Sequence, residues 1–162
     1  DDRGSLSMTV HEKAFSDYGL PHFVQENQTF SRQAGTIRGL HFQKQPHAQA
    51  KLVRVLQGRI FDVALDIRPD SPSYGRFVTT TLSDKDLTQF YIPEGFAHGF
   101  CTLTDNTVVL YKMSALYEPS YERGILYSDP DLGISWPISA DRAMLSDKDK
   151  HWPRLRELGM RS

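Results

Sequence analysis

The chain has 162 residues and nearly balanced charge, 19 Lys and Arg against 20 Asp and Glu, which suits one domain spanning 1–162 and excludes the basic surplus of a nucleic-acid or polybasic membrane binder. Cys101 is the single cysteine, so an intramolecular disulfide is excluded and a Cys-ligated zinc disfavoured. No apolar run is long enough for a signal peptide or a membrane span, and the expected setting is cytoplasmic, with a small molecule or a second copy of the chain as partner and neither nucleic acid nor membrane. The chain opens at Asp1 without methionine, which points to a leading segment trimmed or outside the numbering.

In chain order, Thr9 to Tyr18 predicts a short helix, with Thr9 and Glu12 as a capping box, Val10, Ala14 and Tyr18 on one face, and Gly19 as its stop. β signals dominate after it. Arg59 to Ile67 alternates, with Phe61, Val63, Leu65 and Ile67 on one face and Ile60, Asp62, Ala64 and Asp66 on the other. Further strands are predicted at Lys51 to Leu56, Arg76 to Leu82, Gln89 to Ile92, Gly99 to Leu103 and Thr107 to Met113, separated by turn residues such as Gln57-Gly58 and Asp105-Asn106. Many short strands at this spacing imply a β-sandwich or a small barrel. From Tyr127 the pattern loosens into Asp- and Pro-rich loops, with a short helical turn after Ser146.

The residues able to do chemistry fall at strand ends. In Arg38-Gly39-Leu40-His41-Phe42-Gln43, Gly39 permits close approach of backbone or ligand, Arg38 brings a fixed charge, and His41 has the imidazole usual for a general base near neutrality. An isolated strand histidine is more often simply hydrogen-bonded. Lys51 shares its strand face with Val53 and Val55, so it points to a packed or ligand-lined side, although a strand-end lysine is ordinarily a solvated charge. Tyr111 shares a face with Val109 and Met113 and by itself reads as a core aromatic. Asp149 forms a capping-box pattern with Ser146, a purely structural use for its carboxylate, and the face of Asp62 is left open between cavity and water.

His98 lies in Pro93-Glu94-Gly95-Phe96-Ala97-His98-Gly99-Phe100, which has the P-x-G-x-x-H form of the second cupin motif. That motif normally completes a metal site with an earlier H-x-H pair. Here His41 is followed by Phe42 and Gln43, and His47 stands in a Gln- and Pro-rich loop, so the ligand count keeps the cupin fold signal and predicts no bound metal.

Taken together, the segments Arg38 to Gln43, Ala48 to Gly75, Tyr91 to Phe100, Leu110 to Pro119, Asp129 to Pro137 and Leu145 to Asp149 resemble, in order and spacing, the dTDP-4-dehydrorhamnose 3,5-epimerase family. The resemblance runs from Asp2-Arg3-Gly4 to Asp149. It implies a mainly β, cupin-type β-sandwich or jelly-roll barrel with a few short helices, a homodimer that exchanges strands, and an enzyme without cofactor acting on a dTDP-sugar. It places the general base at His41 with Asp149 orienting it, the acid of the opposite face at Tyr111, and enolate stabilisation at Lys51. The C4 ketone acidifies the hydrogens at C3 and C5, one group removes a proton, and a second returns it on the other face. For the nucleotide end the resemblance implies Arg38 on the diphosphate, Arg3 offered across the dimer, Gln25 and Asn27 as polar contacts, and Tyr117 near the nucleoside, with His98 and Asp62 supporting Lys51. The chain departs from the family at Ser5-Leu6-Ser7-Met8, where an aromatic stretch with a glutamate is usual, and at Leu116, where a tyrosine is common.

The reaction implied is epimerisation at C3 and C5 of dTDP-4-keto-6-deoxy-D-glucose to dTDP-4-keto-L-rhamnose. Three alternatives stand beside it: a single-position epimerase of a deoxysugar pathway, a non-catalytic nucleotide-sugar binding module, and a metal-dependent cupin.

Overall fold

Among residues 1–160, which the computed structural model describes, nine strands form: β1 (Gln25–Ser31), β2 (Ile37–Gln43), β3 (Lys51–Gln57), β4 (Arg59–Asp66), β5 (Phe77–Ser83), β6 (Phe90–Ile92), β7 (Phe96–Thr102), β8 (Thr107–Met113) and β9 (Glu122–Gly124). They make two antiparallel sheets, ordered β1-β8-β3-β6 and β5-β4-β7-β2-β9. This is the mainly β sandwich expected from the short, evenly spaced apolar runs. Helix is limited to α1 (Glu12–Asp17), α2 (Asp147–Lys150) and two 3₁₀ turns at Pro119–Tyr121 and Leu155–Met160.

β4 shows why both of its faces are apolar. Ile60 and Ala64 point between the sheets, where they pack with Val53, Val55, Leu82, Ile92, Phe100 and Val109. Val63 and Leu65 point outward, yet they are fully buried, because Leu40 and Ala97 join them under a cover formed by Ile125, Leu132, Ile134, Trp136 and Leu155. The Asp- and Pro-rich segment that carries no periodicity is therefore the lid of a second core. Its backbone groups are satisfied locally: Trp136 Nε1 donates to the Tyr127 carbonyl at 2.8 Å, and Asp129 Oδ2 accepts the Leu155 amide at 2.8 Å.

Two expectations need correction. The N-terminal helix begins at Glu12 rather than Thr9, and its cap is His11, whose Nδ1 accepts the Ala14 amide at 3.0 Å; Thr9 lies two residues before the cap, and its carbonyl accepts from Gln89. Tyr18 and Gly19 end it as expected, Gly19 adopting φ +72. The strand placed at Gly99 to Leu103 begins at Phe96, since Gly95 supplies the turn before it with φ +79. β1 and β9 carry no apolar alternation. β1 is an edge strand of mostly polar residues, and β9 is three residues held by pairing with His41, Phe42 and Gln43.

Candidate active site

An open cavity of about 580 Å³ lies where the inner faces of the sheets change from apolar to polar. On β3 the inward positions run Val55, Val53, Lys51, and on β8 they run Val109, Tyr111, Met113, so the apolar core gives way to functional groups along each strand. β2 contributes from the facing sheet. Arg38 and His41 are three residues apart and would leave a regular strand on opposite sides, yet both line the cavity. The register against β7 shifts between them, and Gly39 makes that shift possible: it takes φ +128 and lies so close to Gly99 that a Cβ would stand 2.7 Å from the His98 carbonyl. The close approach anticipated for Gly39 is thus to backbone.

His41 Nε2 donates to Asp149 Oδ1 at 2.5 Å. The partners are 108 residues apart, so the fold makes the contact that the family resemblance implied and local sequence could not. Ser146 caps α2 by accepting the Asp149 amide at 3.1 Å, which is half of the capping box; the carboxylate goes to His41 and to Trp152 Nε1 instead of back to the cap. Burial by itself would raise the Asp149 carboxyl, but the hydrogen bond and charge of His41, with the donation from Trp152, outweigh it and hold the group below its ordinary value.

Lys51 is 9% exposed and donates to the His41 carbonyl at 3.3 Å. Burial lowers its ammonium from 10.5 to about 8, opposed in part by the negative charges of Glu122 and Asp62. His98 also lines the cavity, and its Nε2 donates to Asp62 Oδ1 at 2.9 Å. Asp62 is fully buried behind it, outside the cavity wall, with Oδ2 lacking a hydrogen-bond partner among the described residues. Tyr111 reaches the cavity from the four-stranded sheet, packed against the core between the sheets, and its hydroxyl has no hydrogen-bond partner among the described residues.

At the outer part of the cavity, the Arg38 guanidinium is braced by Ser31 Oγ at 3.2 Å and the Phe30 carbonyl at 3.1 Å. Asn27 and Tyr117 line it as well. Gln25 lies behind them: its Oε1 accepts the Tyr117 amide at 2.8 Å and its Nε2 donates to Asn27. Arg3 does not line the cavity; it is 90% exposed and paired with Asp1. Two charged residues that sequence reasoning missed also line the cavity. Glu122 accepts from Lys148 at 2.8 Å and from the Tyr117 hydroxyl at 2.8 Å. The Lys148 ammonium and the Tyr117 hydroxyl keep Glu122 ionised against the opposing effect of burial. Neither residue carries a pattern in sequence; the one signal was that Lys148 adjoins Asp149 in Leu145 to Asp149. Among the described residues, no three His, Cys, Asp or Glu side chains converge as a metal centre would require.

The family model described as dTDP-4-dehydrorhamnose 3,5-epimerase matches residues 1–157. The dTDP-4-dehydrorhamnose 3,5-epimerase of Methanothermobacter thermautotrophicus is 48% identical over 159 residues, covering 97% of this chain and 85% of that protein. A crystal structure of the Bacillus anthracis dTDP-4-dehydrorhamnose 3,5-epimerase with TDP and pyrophosphate bound superposes with a TM-score of 0.92 at 44% identity, over 95% of this chain and 87% of the other. The Legionella pneumophila dTDP-6-deoxy-D-glucose-3,5-epimerase, solved in complex with dTDP-4-keto-L-rhamnose, gives a TM-score of 0.92 at 42% identity, over 98% and 84% of the two chains.

Proposed function

Because the chain belongs to the dTDP-4-dehydrorhamnose 3,5-epimerase family, we propose that it is an isomerase converting dTDP-4-keto-6-deoxy-D-glucose to dTDP-4-keto-L-rhamnose by inverting C3 and C5 in turn. The observation that carries the reading is that the candidate base and acid come from opposite sheets. His41 stands on β2 of the five-stranded sheet, Tyr111 on β8 of the four-stranded sheet, and both line one cavity. Inversion at a carbon next to a ketone needs a base on one face of the sugar and an acid on the other, and a sandwich supplies them without cofactor chemistry.

In this reading neutral His41 removes the C3 or C5 proton while Asp149 stabilises the imidazolium. The electrons move to the C4 oxygen, where the Lys51 ammonium meets the developing charge, and Tyr111 returns a proton to carbon from the far side. His98 and Asp62 support Lys51. Arg38 and Lys148 are the cations for the diphosphate, the planar guanidinium suiting two parallel hydrogen bonds to phosphate oxygens. Asn27 contacts the substrate directly, Gln25 serves by holding the Tyr117 backbone, and Tyr117 flanks the nucleoside. Arg3, exposed and outside the cavity lining of its own chain, fits a role across a homodimer, and the exposed Leu6 and Met8 near it in sequence favour that assembly. A cytoplasmic setting belongs to the same reading; no helix among the described residues is long and apolar enough to cross a membrane.

Incubation with dTDP-4-keto-6-deoxy-D-glucose in D₂O, followed by NMR, tests the proposal. Deuterium at both C3 and C5 is expected. His41→Ala should abolish incorporation and retain dTDP binding. Incorporation at one carbon only would reduce the enzyme to a single-position epimerase, and none at either, with dTDP still bound, would leave a binding module.

A further inference from the structure

Trp152 lies outside the cavity wall, yet it touches the residue that orients the base. Its Nε1 donates at 3.1 Å to Asp149 Oδ1, the same oxygen that accepts from His41 Nε2. The indole meets the imidazole edge to face, with centroids 6.1 Å apart and planes at 69°. The indole also rests on Gly124, whose backbone pairs with His41 across β2 and β9. A Cβ at Gly124 would overlap the indole atoms Cδ2, Cε2 and Nε1. The backbone at Gly124 is not left-handed, so it is the indole, not chain conformation, that leaves no room for a side chain there.

We infer that Trp152 is a positioning residue for the proton-abstracting step: seated on Gly124, it fixes Asp149 Oδ1 toward His41 and keeps the proton of the dyad on the imidazole. A carboxylate oxygen that accepts two donors at once cannot swing away from either. The second donor also draws charge from the carboxylate, so a proton taken from the substrate stays on His41 rather than passing to Asp149. The nitrogen left to take that proton is Nδ1, because Nε2 is committed to Asp149. The other charged or titratable groups lining the cavity with the dyad are Arg38 on β2, Lys51 on β3, His98 on β7, Tyr111 on β8, Tyr117, Glu122 on β9 and Lys148 on α2, whose ammonium lies 5.9 Å from the indole centroid. Among the described residues none of these hydrogen-bonds Asp149; besides His41, Trp152 and the Ser146 hydroxyl lower its carboxyl, and of the two only Trp152 bonds the oxygen that accepts from His41.

The inference rests on the epimerase reading of His41 and Asp149, and the test separates the two. Trp152→Phe keeps an aromatic ring on Gly124 and removes the N–H. It should lower kcat on the order of tenfold, the usual effect of one lost hydrogen bond to a charged group, with KM within about twofold of wild type. The acid limb of the kcat/KM profile should move to higher pH, since a carboxylate relieved of its second donor stabilises imidazolium more strongly. Unchanged kcat and an unchanged acid limb, with only a lower melting temperature, would overturn the inference and leave the indole as packing. As an independent readout, the Trp152 indole N–H resonance of the wild-type protein should follow the titration of His41, and a resonance flat across that titration would overturn it too. If the wild-type protein exchanged no deuterium, the epimerase reading would fall, and the indole resonance would still decide whether Trp152 and the dyad share one proton system.

Discussion

Lys51 combines two demands that conflict. In the proposed reaction the Lys51 ammonium has to be charged to stabilise an enolate, and burial opposes that charge, lowering the group to about 8. The kcat/KM profile should therefore fall above about pH 8 as Lys51 loses its proton. For stability the sign is the reverse. Between about pH 8 and the unperturbed value of 10.5, the unfolded chain holds a proton that the folded chain has released, so this contribution to stability rises with pH across the window and is least favourable below it. Lys51→Met should accordingly lose activity by 100-fold or more, on the order expected for removing a main electrostatic stabiliser. At pH 7 the same substitution should stabilise the fold by roughly 1 to 3 kcal/mol, read as a higher urea midpoint. An unstable variant, or a profile flat through pH 8 to 10, would contradict this account of the site.

At the level of elements, α2 is four residues long and cannot persist on propensity, yet it delivers Asp149 to His41. Its start is held by Ser146, and its end by His151, whose amide donates to the Lys148 carbonyl. Ser146→Ala should cost about 1 kcal/mol locally through loss of the cap. Because so few contacts cross from α2 to the sheets, the global melting temperature should barely move, while kcat falls several-fold and the Asp149 amide exchanges faster with solvent. Hydrogen exchange followed by NMR, together with steady-state kinetics, checks both. The strand β2 makes a parallel point: its irregular register places Arg38 and His41 on one cavity, so the element is shaped by Gly39 and its contact with Gly99 rather than by any strand-forming preference of its own.

Across the molecule, two cores divide the labour. One lies between the sheets and ends at the reactive groups; the other lies outside the five-stranded sheet under the segment that follows β9. Trp136, which packs edge to face on Phe61 with centroids 5.8 Å apart, belongs to the second. Trp136→Ala should destabilise the protein by roughly 3 kcal/mol, as large-to-small core changes do. kcat and KM measured well below the melting temperature should stay near wild type, because the indole is separated from the cavity by the sheet itself. A large change in kcat without loss of stability would mean that the outer core positions the site directly.

Much of this was written in local sequence. The alternation from Arg59 to Ile67, the inward setting of Lys51 beside Val53 and Val55, the cap at Ser146, the close backbone approach at Gly39 and the ordered segments from Arg38 to Asp149 together determined a mainly β sandwich and a family. Those signals are local because strand period, helix capping and glycine conformation depend on a few neighbouring residues. What only the tertiary structure decided is which groups meet. Asp149 bonds His41 across 108 residues, a pairing that the sequence offered only through the family resemblance; Trp152 takes the same carboxylate oxygen, Glu122 and Lys148 enter the cavity with no pattern to announce them, and a loop-rich C-terminal segment becomes a core. Long-range pairing is fixed by the packing of complete sheets, and no short window of sequence contains both partners.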